Sequence, residues 1–345
     1  MLNVAFIGFG NSVRRYHLPF IRNKKNVCVK WIYRLESEID PALEGRYPDY
    51  RFTSSFDDIK NDLEVNLVVI NTPDRFHVPF SKEFLNAGKN VLVEKPFAMT
   101  VEAGKEVFDL AKEKGLVCYV NQNRRYDTDF LSLKEVVDSG VLGNLIEVES
   151  HYDYFKPEED GNGDFLYGLV IHSLDQMIAL FGKPDRIITD VRGIVNPQGG
   201  RDYIDLMLFY DEKLRVSVRS SEFVKIPYPR FVAHGTKGSY VKYSMGNLSK
   251  MMVGEEPLEP PFILEKEDNW GTVEYVDDYG NTVRCRQPSR VTDYGKLYDD
   301  LDACINEGAE KKVKEEEVLE VLRILQEARK EPDARIGDGI DHWKF

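Results

Sequence analysis

Val4-Ala5-Phe6-Ile7-Gly8-Phe9-Gly10-Asn11-Ser12-Val13 is the stretch on which the fold turns. Four apolar residues make a buried strand. The glycine pair after them stands where the chain must turn tightly into a helix start at Asn11-Ser12-Val13-Arg14-Arg15. Lacking side chains, such a turn lets backbone N–H groups approach an anionic group at the helix N-terminus. Val13 occupies the third glycine position of a full G-x-G-x-x-G pattern, so the motif takes its weight from the residues that follow.

Further apolar runs at 27–33, 67–70, 91–93 and 117–120 alternate with helical spacing over 77–87 and 101–114, which Gly88 and Gly115 terminate. This βαβ alternation predicts an α/β domain over residues 1–121, a doubly wound parallel sheet of the Rossmann type. After Asn121 the texture changes. A helix over 129–139 precedes strand-like segments at 145–154, 187–192, 204–209, 214–220, 231–233 and 240–243. Helix returns at 168–181, near 294–307 and at 315–329, with a hairpin turn at Asp278-Tyr279-Gly280-Asn281 and a Pro- and Glu-rich stretch at 254–261. Residues 122–345 thus read as an α+β domain with a large, mostly antiparallel open sheet.

A chain of 345 residues suits two cores, and its 42% hydrophobic and 30% charged residues describe an ordinary globule. Its formal net charge of −13 argues against nucleic acid or an anionic membrane as a partner. Cys28, Cys118, Cys285 and Cys304 form no C-x-x-C pair, so no metal site is expected and reduced thiols are. The chain opens without a basic segment ahead of its first apolar run, and no run approaches the ~20 residues of a membrane span. A cytoplasmic location is expected.

The run from 27 to 33 ends at Ile32-Tyr33-Arg34. An NAD-specific site places an acid there on the ribose 2′-hydroxyl, whereas Arg34 suits the 2′-phosphate of NADP. NADP is the favoured cofactor, with Glu36 as the alternative carboxylate for NAD. Val91-Leu92-Val93-Glu94-Lys95-Pro96 then delivers Glu94 and Lys95 to the carboxyl edge of the sheet, where open α/β folds bind ligands. Asn123 and Arg124 reach the same crevice beyond the 117–120 strand.

In this order, Gly8-Phe9-Gly10, Asn71-Thr72-Pro73-Asp74-Arg75-Phe76-His77, Ala87-Gly88-Lys89-Asn90-Val91-Leu92-Val93-Glu94-Lys95-Pro96, Asn123-Arg124-Arg125-Tyr126-Asp127 and His172-Ser173-Leu174-Asp175-Gln176 resemble the glucose–fructose oxidoreductase/inositol dehydrogenase/MocA family, in particular its NADP-dependent scyllo-inositol dehydrogenase-like branch. The turn Gly235-Thr236-Lys237-Gly238-Ser239 and the late helix at Tyr294 carry the likeness over nearly the whole chain. The resemblance implies hydride transfer between a nicotinamide cofactor and a secondary alcohol of a sugar or cyclic polyol. It puts Lys95 beside the nicotinamide and brings His172 from the second domain. It also implies cofactor contacts at Gly8, Phe9, Gly10, Asn11, Ser12, Arg34, Thr72, Pro73, His77, Glu94, Lys95 and Asn123. Substrate would meet Lys95, Asn123, Tyr152, Tyr154, His172 and Asp175, and a homodimer or homotetramer is expected.

The chemistry implied is coherent, because oxidising an alcohol needs a proton acceptor and His172 is one near neutral pH. Lys95 either stabilises the developing oxygen charge or, desolvated, acts as the base. The family usually carries an aspartate four residues before the histidine. Here that position is Gly168, preceded by Tyr167, so either the Tyr167 hydroxyl or Asp175 substitutes, or the site relies on Lys95 and His172 alone, or its chemistry is weak. Asp175, one helical turn after His172, either orients the imidazole or simply favours the helix N-terminus. The alternative class is a non-catalytic NADP-binding regulator or redox sensor on the same fold.

Overall fold

The computed structural model describes residues 1–39, 41–156, 165–195, 200–244 and 265–330. The stretch 254–261 lies outside them. Six parallel strands build the first sheet: β1 (Leu2–Ile7), β2 (Val27–Tyr33), β3 (Phe52–Thr53), β4 (Leu67–Ile70), β5 (Asn90–Val93) and β6 (Cys118–Val120), in the order β3-β2-β1-β4-β5-β6. Strands β4 and β5 are buried at every residue, which is why both read as unbroken apolar runs. The strand order reverses between β1 and β4, so the ligand crevice of this doubly wound sheet opens over Gly8 and Asn71.

Helices α1 (Leu18–Ile21), α2 (Pro41–Arg46), α3 (Phe56–Asn61), α4 (His77–Asn86) and α5 (Val101–Glu113) make the crossovers. Helix α1 is entered through a π-helical turn, Val13–His17, so the helix expected after Gly10 begins with a widened turn. Thr100 caps α5, its Oγ1 accepting from the Ala103 N–H at 3.1 Å.

The second sheet has eight strands: β7 (Leu145–His151), β8 (Arg186–Arg192), β9 (Tyr203–Tyr210), β10 (Leu214–Ser221), β11 (Phe231–Gly235), β12 (Gly238–Lys242), β13 (Gly271–Val276) and β14 (Thr282–Gln287). Their order is β14-β13-β12-β11-β7-β10-β9-β8, and all named pairs are antiparallel except β7 with β10. The expected hairpin joins β13 to β14, and Asp277 holds its turn by accepting from the N–H groups of Tyr279 at 2.9 Å and Asn281 at 2.8 Å. Helices α6 (Thr128–Ser139), α7 (Ile171–Phe181), α8 (Gly295–Glu307) and α9 (Glu315–Arg329) complete the fold, with α7 entered through a second π-helical turn, Leu166–Val170.

Packing runs across the boundary expected at 121/122. Tyr294, Leu297, Tyr298 and Leu301 join the core of the first sheet, because the chain returns to it through α8. Helix α9 splits its apolar side chains, sending Val318 and Leu322 into the first core and Val321, Ile324 and Leu325 into the second. It therefore rivets α7, which carries His172, to the sheet that carries Lys95. Among the described residues, no helix is long and apolar enough to cross a membrane.

Gly8 has φ +100°, and a Cβ built on it would lie 2.3 Å from the Asn71 carbonyl oxygen. Gly8→Ala is therefore expected to cost roughly 2 kcal/mol or more, read as a lower urea midpoint. An unchanged midpoint would contradict this close crossing of the turns after β1 and β4.

Candidate active site

Residues leaving the carboxyl ends of β1, β4, β5 and β6 converge on Glu94, the residue after β5. Glu94 Oε1 accepts from Ser12 Oγ at 2.8 Å and Asn121 Nδ2 at 2.7 Å, and lies 2.9 Å from His17 Nε2. A carboxylate only accepts, so Nε2 carries the ring proton and His17 Nδ1 accepts from the Tyr298 hydroxyl at 2.6 Å. Burial alone would raise the Glu94 carboxyl, but His17, Ser12 and Asn121 together bring it down to about 2. Because the folded value lies below 4.5, this ionised group stabilises the fold above pH 4.5. That contribution, roughly 3 kcal/mol, fades as the pH falls toward the folded value.

The next residue crosses between the domains. Lys95 Nζ donates to the Gly168 carbonyl at 2.8 Å, within the π-helical turn that leads into α7. Lys95, His172, Ser12, Tyr16, Thr72 and Arg124 share the lining of one cavity of about 240 Å³. Burial pushes the Lys95 ammonium below its ordinary range, with Glu94 opposing and Arg124 assisting. His172 is held well below 6.5 by burial, then by Lys95, Arg124 and Arg230. Its Nδ1 is buried without a hydrogen-bond partner among the described residues. The cavity thus juxtaposes a neutral imidazole, a lysine whose ammonium is destabilised by burial and a guanidinium. A larger cavity of about 480 Å³, on the outer side of α1 between Arg14 and Tyr47, holds none of this machinery.

The other predicted residues divide. Ser12, Thr72, His77, Glu94 and Asn123 line the cavity. His77 bridges two turns, with Nδ1 2.7 Å from Pro96 O and Nε2 2.9 Å from Thr72 O, so it braces the site from behind. Phe9 is buried with its ring 4.9 Å from Tyr47 and 5.5 Å from Phe52, which leaves only its backbone for a ligand. Gly10 and Asn11 are exposed at the turn, and Pro73 is exposed beyond β4. Tyr152 and Tyr154 lie outside the lining, their rings 6.0 Å apart, with Tyr152 under the Arg124 guanidinium at 5.4 Å. Arg34 leaves β2 paired with Glu38 at 3.1 Å.

One expectation for replacing the missing aspartate is corrected. Asp175 does not orient His172, because both its oxygens are taken by Arg125 at 2.7 and 2.6 Å. Arg125 also reaches Glu317 of α9 at 2.7 Å, which makes Asp175 part of the inter-domain rivet. The Tyr167 ring is buried in the second core with the Arg329 guanidinium over it at 5.3 Å. In place of a carboxylate beside Lys95 there is the Gly168 carbonyl. Sequence reasoning missed His17, Asn121, Asn71 and Tyr298, of which the two asparagines directly follow strands as Glu94 does.

The residues fit a nicotinamide dinucleotide. Gly8 cannot carry a side chain, while a Cβ on Gly10 would meet nothing within 4 Å, which leaves the turn open above the helix start. Asn71 Nδ2 and Oδ1 and Thr72 Oγ1 are buried at the end of β4 without partners among the described residues, the condition of groups that await a polar ligand.

Comparison with known proteins agrees with this geometry. Residues 2–122 match the Gfo/Idh/MocA oxidoreductase family's NAD-binding Rossmann fold, and residues 134–331 match its C-terminal alpha/beta domain. The chain is 43% identical over 334 residues to uncharacterized oxidoreductase YhhX of Escherichia coli (strain K12), covering 94% of this chain and 95% of that protein. It is 28% identical over 344 residues to scyllo-inositol 2-dehydrogenase (NADP(+)) IolW of Bacillus subtilis (strain 168), covering 95% and 92%. A crystal structure of an oxidoreductase from Bacillus cereus superposes with a TM-score of 0.92 at 37% identity, covering 96% of this chain and 97% of that one.

Asp175→Asn should remove the buried half of Arg125's counter-charge and leave it Glu317 alone. The expected loss is about 3–5 kcal/mol in urea unfolding at pH 7. A loss below ~1 kcal/mol, coupled to a shifted pH profile for turnover, would return Asp175 to the imidazole.

Proposed function

We propose a function from one premise: this chain belongs to the Gfo/Idh/MocA oxidoreductase family. On that premise it interconverts a secondary alcohol of a sugar or cyclic polyol and the corresponding ketone, with NADP preferred to NAD. The observation that carries the reading is the Lys95 to Gly168 hydrogen bond at 2.8 Å, which brings the end of β5 to the entrance of α7 and puts Lys95 and His172 on one cavity. Bound at the turn after β1, the nicotinamide cofactor supplies the hydride acceptor or donor.

The chain's own residues do the rest. His172, neutral at physiological pH and without a partner on Nδ1 among the described residues, takes the hydroxyl proton. Lys95 donates to the substrate oxygen and stabilises the charge that develops there, and its lowered pKa lets it exchange a proton at small cost. Glu94 holds the base of Lys95 rigid, and Asn71 and Thr72 offer buried polar atoms to the cofactor's amide end. The preference for NADP is supported by Arg34 at the end of β2, where a 2′-phosphate would displace the Glu38 carboxylate. The NADP(+)-linked name of IolW supports it too.

Lys95→Met should lower kcat by ~10²–10⁴ with NADPH affinity kept; full turnover in that variant would sink the proposal, and tight NADPH binding without turnover by the wild type would favour a sensor. His172 works in its neutral form and its pKa lies well below 6.5, so kcat/KM for alcohol oxidation should stay level through pH 6.5 and fall only on the acid side of it. A His172-dependent limb at or above 6.5 would contradict the assignment.

Arg34→Asp should shift cofactor preference toward NAD by about tenfold or more. Glu38→Gln should free Arg34 and tighten NADP binding a few-fold, as loss of an exposed ion pair allows. An unchanged NADP/NAD ratio in both variants would remove Arg34 from the 2′-phosphate site.

A further inference from the structure

Among the described residues, Arg124 is the one arginine in the Lys95–His172 cavity, and most of its donors meet no partner there. The residue is only 7% exposed and lines the cavity directly. A guanidinium carries five N–H donors, and within the described residues one is used: Nη1 to Asp127 Oδ2 at 3.2 Å. That is long for a charge-assisted bond. The carboxylate is also shared, since Asp127 Oδ1 accepts the Tyr294 hydroxyl at 2.6 Å. Burial pushes the Asp127 carboxyl above its ordinary range against the pull of Arg124.

The rest of the lining does not restore the balance. Residue 168 is a glycine, so Lys95 Nζ meets a carbonyl there instead of a carboxylate. Glu94, the one acid in the lining among the described residues, is committed on Oε1 to Ser12, His17 and Asn121 and on Oε2 to the Lys95 backbone N–H at 3.3 Å. The Tyr152 ring, 5.4 Å from the Arg124 guanidinium and 5.0 Å from that of Arg230, backs the Arg124 group. A buried, preformed fork with open donors beside a lysine matches an oxyanion, which it would hold bidentately.

We propose that the substrate of this site carries a carboxylate, bound by Arg124 and faced by Lys95, and is a sugar acid or comparable polyhydroxylated acid instead of a neutral polyol. The proposal rests on the hydride-transfer reading above and narrows its substrate class. A site built around a polar partner rejects an analogue lacking it far more strongly than an apolar pocket rejects a missing methylene. The carboxylate therefore sets specificity through Arg124.

The test uses the full-length protein with NADP and pairs differing in one carboxylate: glucuronate against glucose, galacturonate against galactose, gluconate against sorbitol. The expected result is a kcat/KM at least ~10²-fold higher for the acid in a pair that turns over. Arg124→Gln should draw that ratio toward one, and Arg124→Lys, which keeps charge without the fork, should give an intermediate ratio. NADPH affinity and thermal midpoint check that both variants fold. Equal or better turnover of the neutral members by the wild type, or an acid-to-neutral ratio unchanged in both variants, would overturn the proposal while leaving hydride transfer intact. If no pair turns over, hydride transfer on such sugars fails, and calorimetric binding to the NADPH-loaded protein decides the charge question. Preferential binding of the acids supports it, and equal or absent binding of both classes overturns it.

Discussion

The buried carboxylate of Glu94 is the point on which distant parts of the chain depend. An ionised group out of water persists only when its lone pairs are filled, and three donors fill one oxygen: Ser12 beyond β1, His17 in the π-helical turn and Asn121 beyond β6. Through His17 the network reaches Tyr298 of α8, some 280 residues away in sequence. Satisfying this one group therefore sets the first helix, the ends of β1 and β6 and the returning helix α8 in register. Because Lys95 is the neighbouring residue, the same network fixes the origin of the side chain that crosses to the second domain.

The second domain answers with its own constraint. Arg125 takes Asp175 of α7 and Glu317 of α9, while α9 shares its apolar side chains between the two cores. Helix α7 is thus held against the crevice by a buried ion pair and by packing, and His172 needs no partner of its own to be placed. Its Nδ1 has no partner among the described residues and stays available, and burial beside Lys95, Arg124 and Arg230 keeps the ring neutral. Both π-helical turns among the described residues touch this site, one through Tyr16 in the cavity lining and the other through the Gly168 carbonyl on Lys95, consistent with the tendency of such turns to occur at functional sites. A site organised in this way carries excess positive charge wherever a carboxylate is missing, and Gly168 is such a place.

Much of this was legible in the residues. Buried parallel strands announce themselves as apolar runs, so β4 and β5 were plain, and the rule that ligands gather at strand carboxyl ends singled out Lys95. The same rule applied evenly would have raised Asn71 and Asn121. His17 was hidden because a π-helical turn inserts a residue and shifts helical spacing, so a period of 3.6 assigns it to the wrong side. Asp175 was misread because spacing along a helix reports neighbours on that helix, whereas its partner Arg125 lies 50 residues earlier. Strand β3 and helices α2 and α3 span two to six residues each, too short for periodicity to register.

The central claim is that the cavity between Lys95 and His172 is where hydride moves. The most direct measurement is label transfer: the protein is incubated with NADPH carrying deuterium at the transferable C4 position and with keto acids and keto polyols, and the products are examined by mass spectrometry. The account predicts an alcohol product bearing one deuterium from the wild type, lost in Lys95→Met although NADPH still binds. Tight NADPH binding with no deuterium in any product, or undiminished transfer in Lys95→Met, would contradict it.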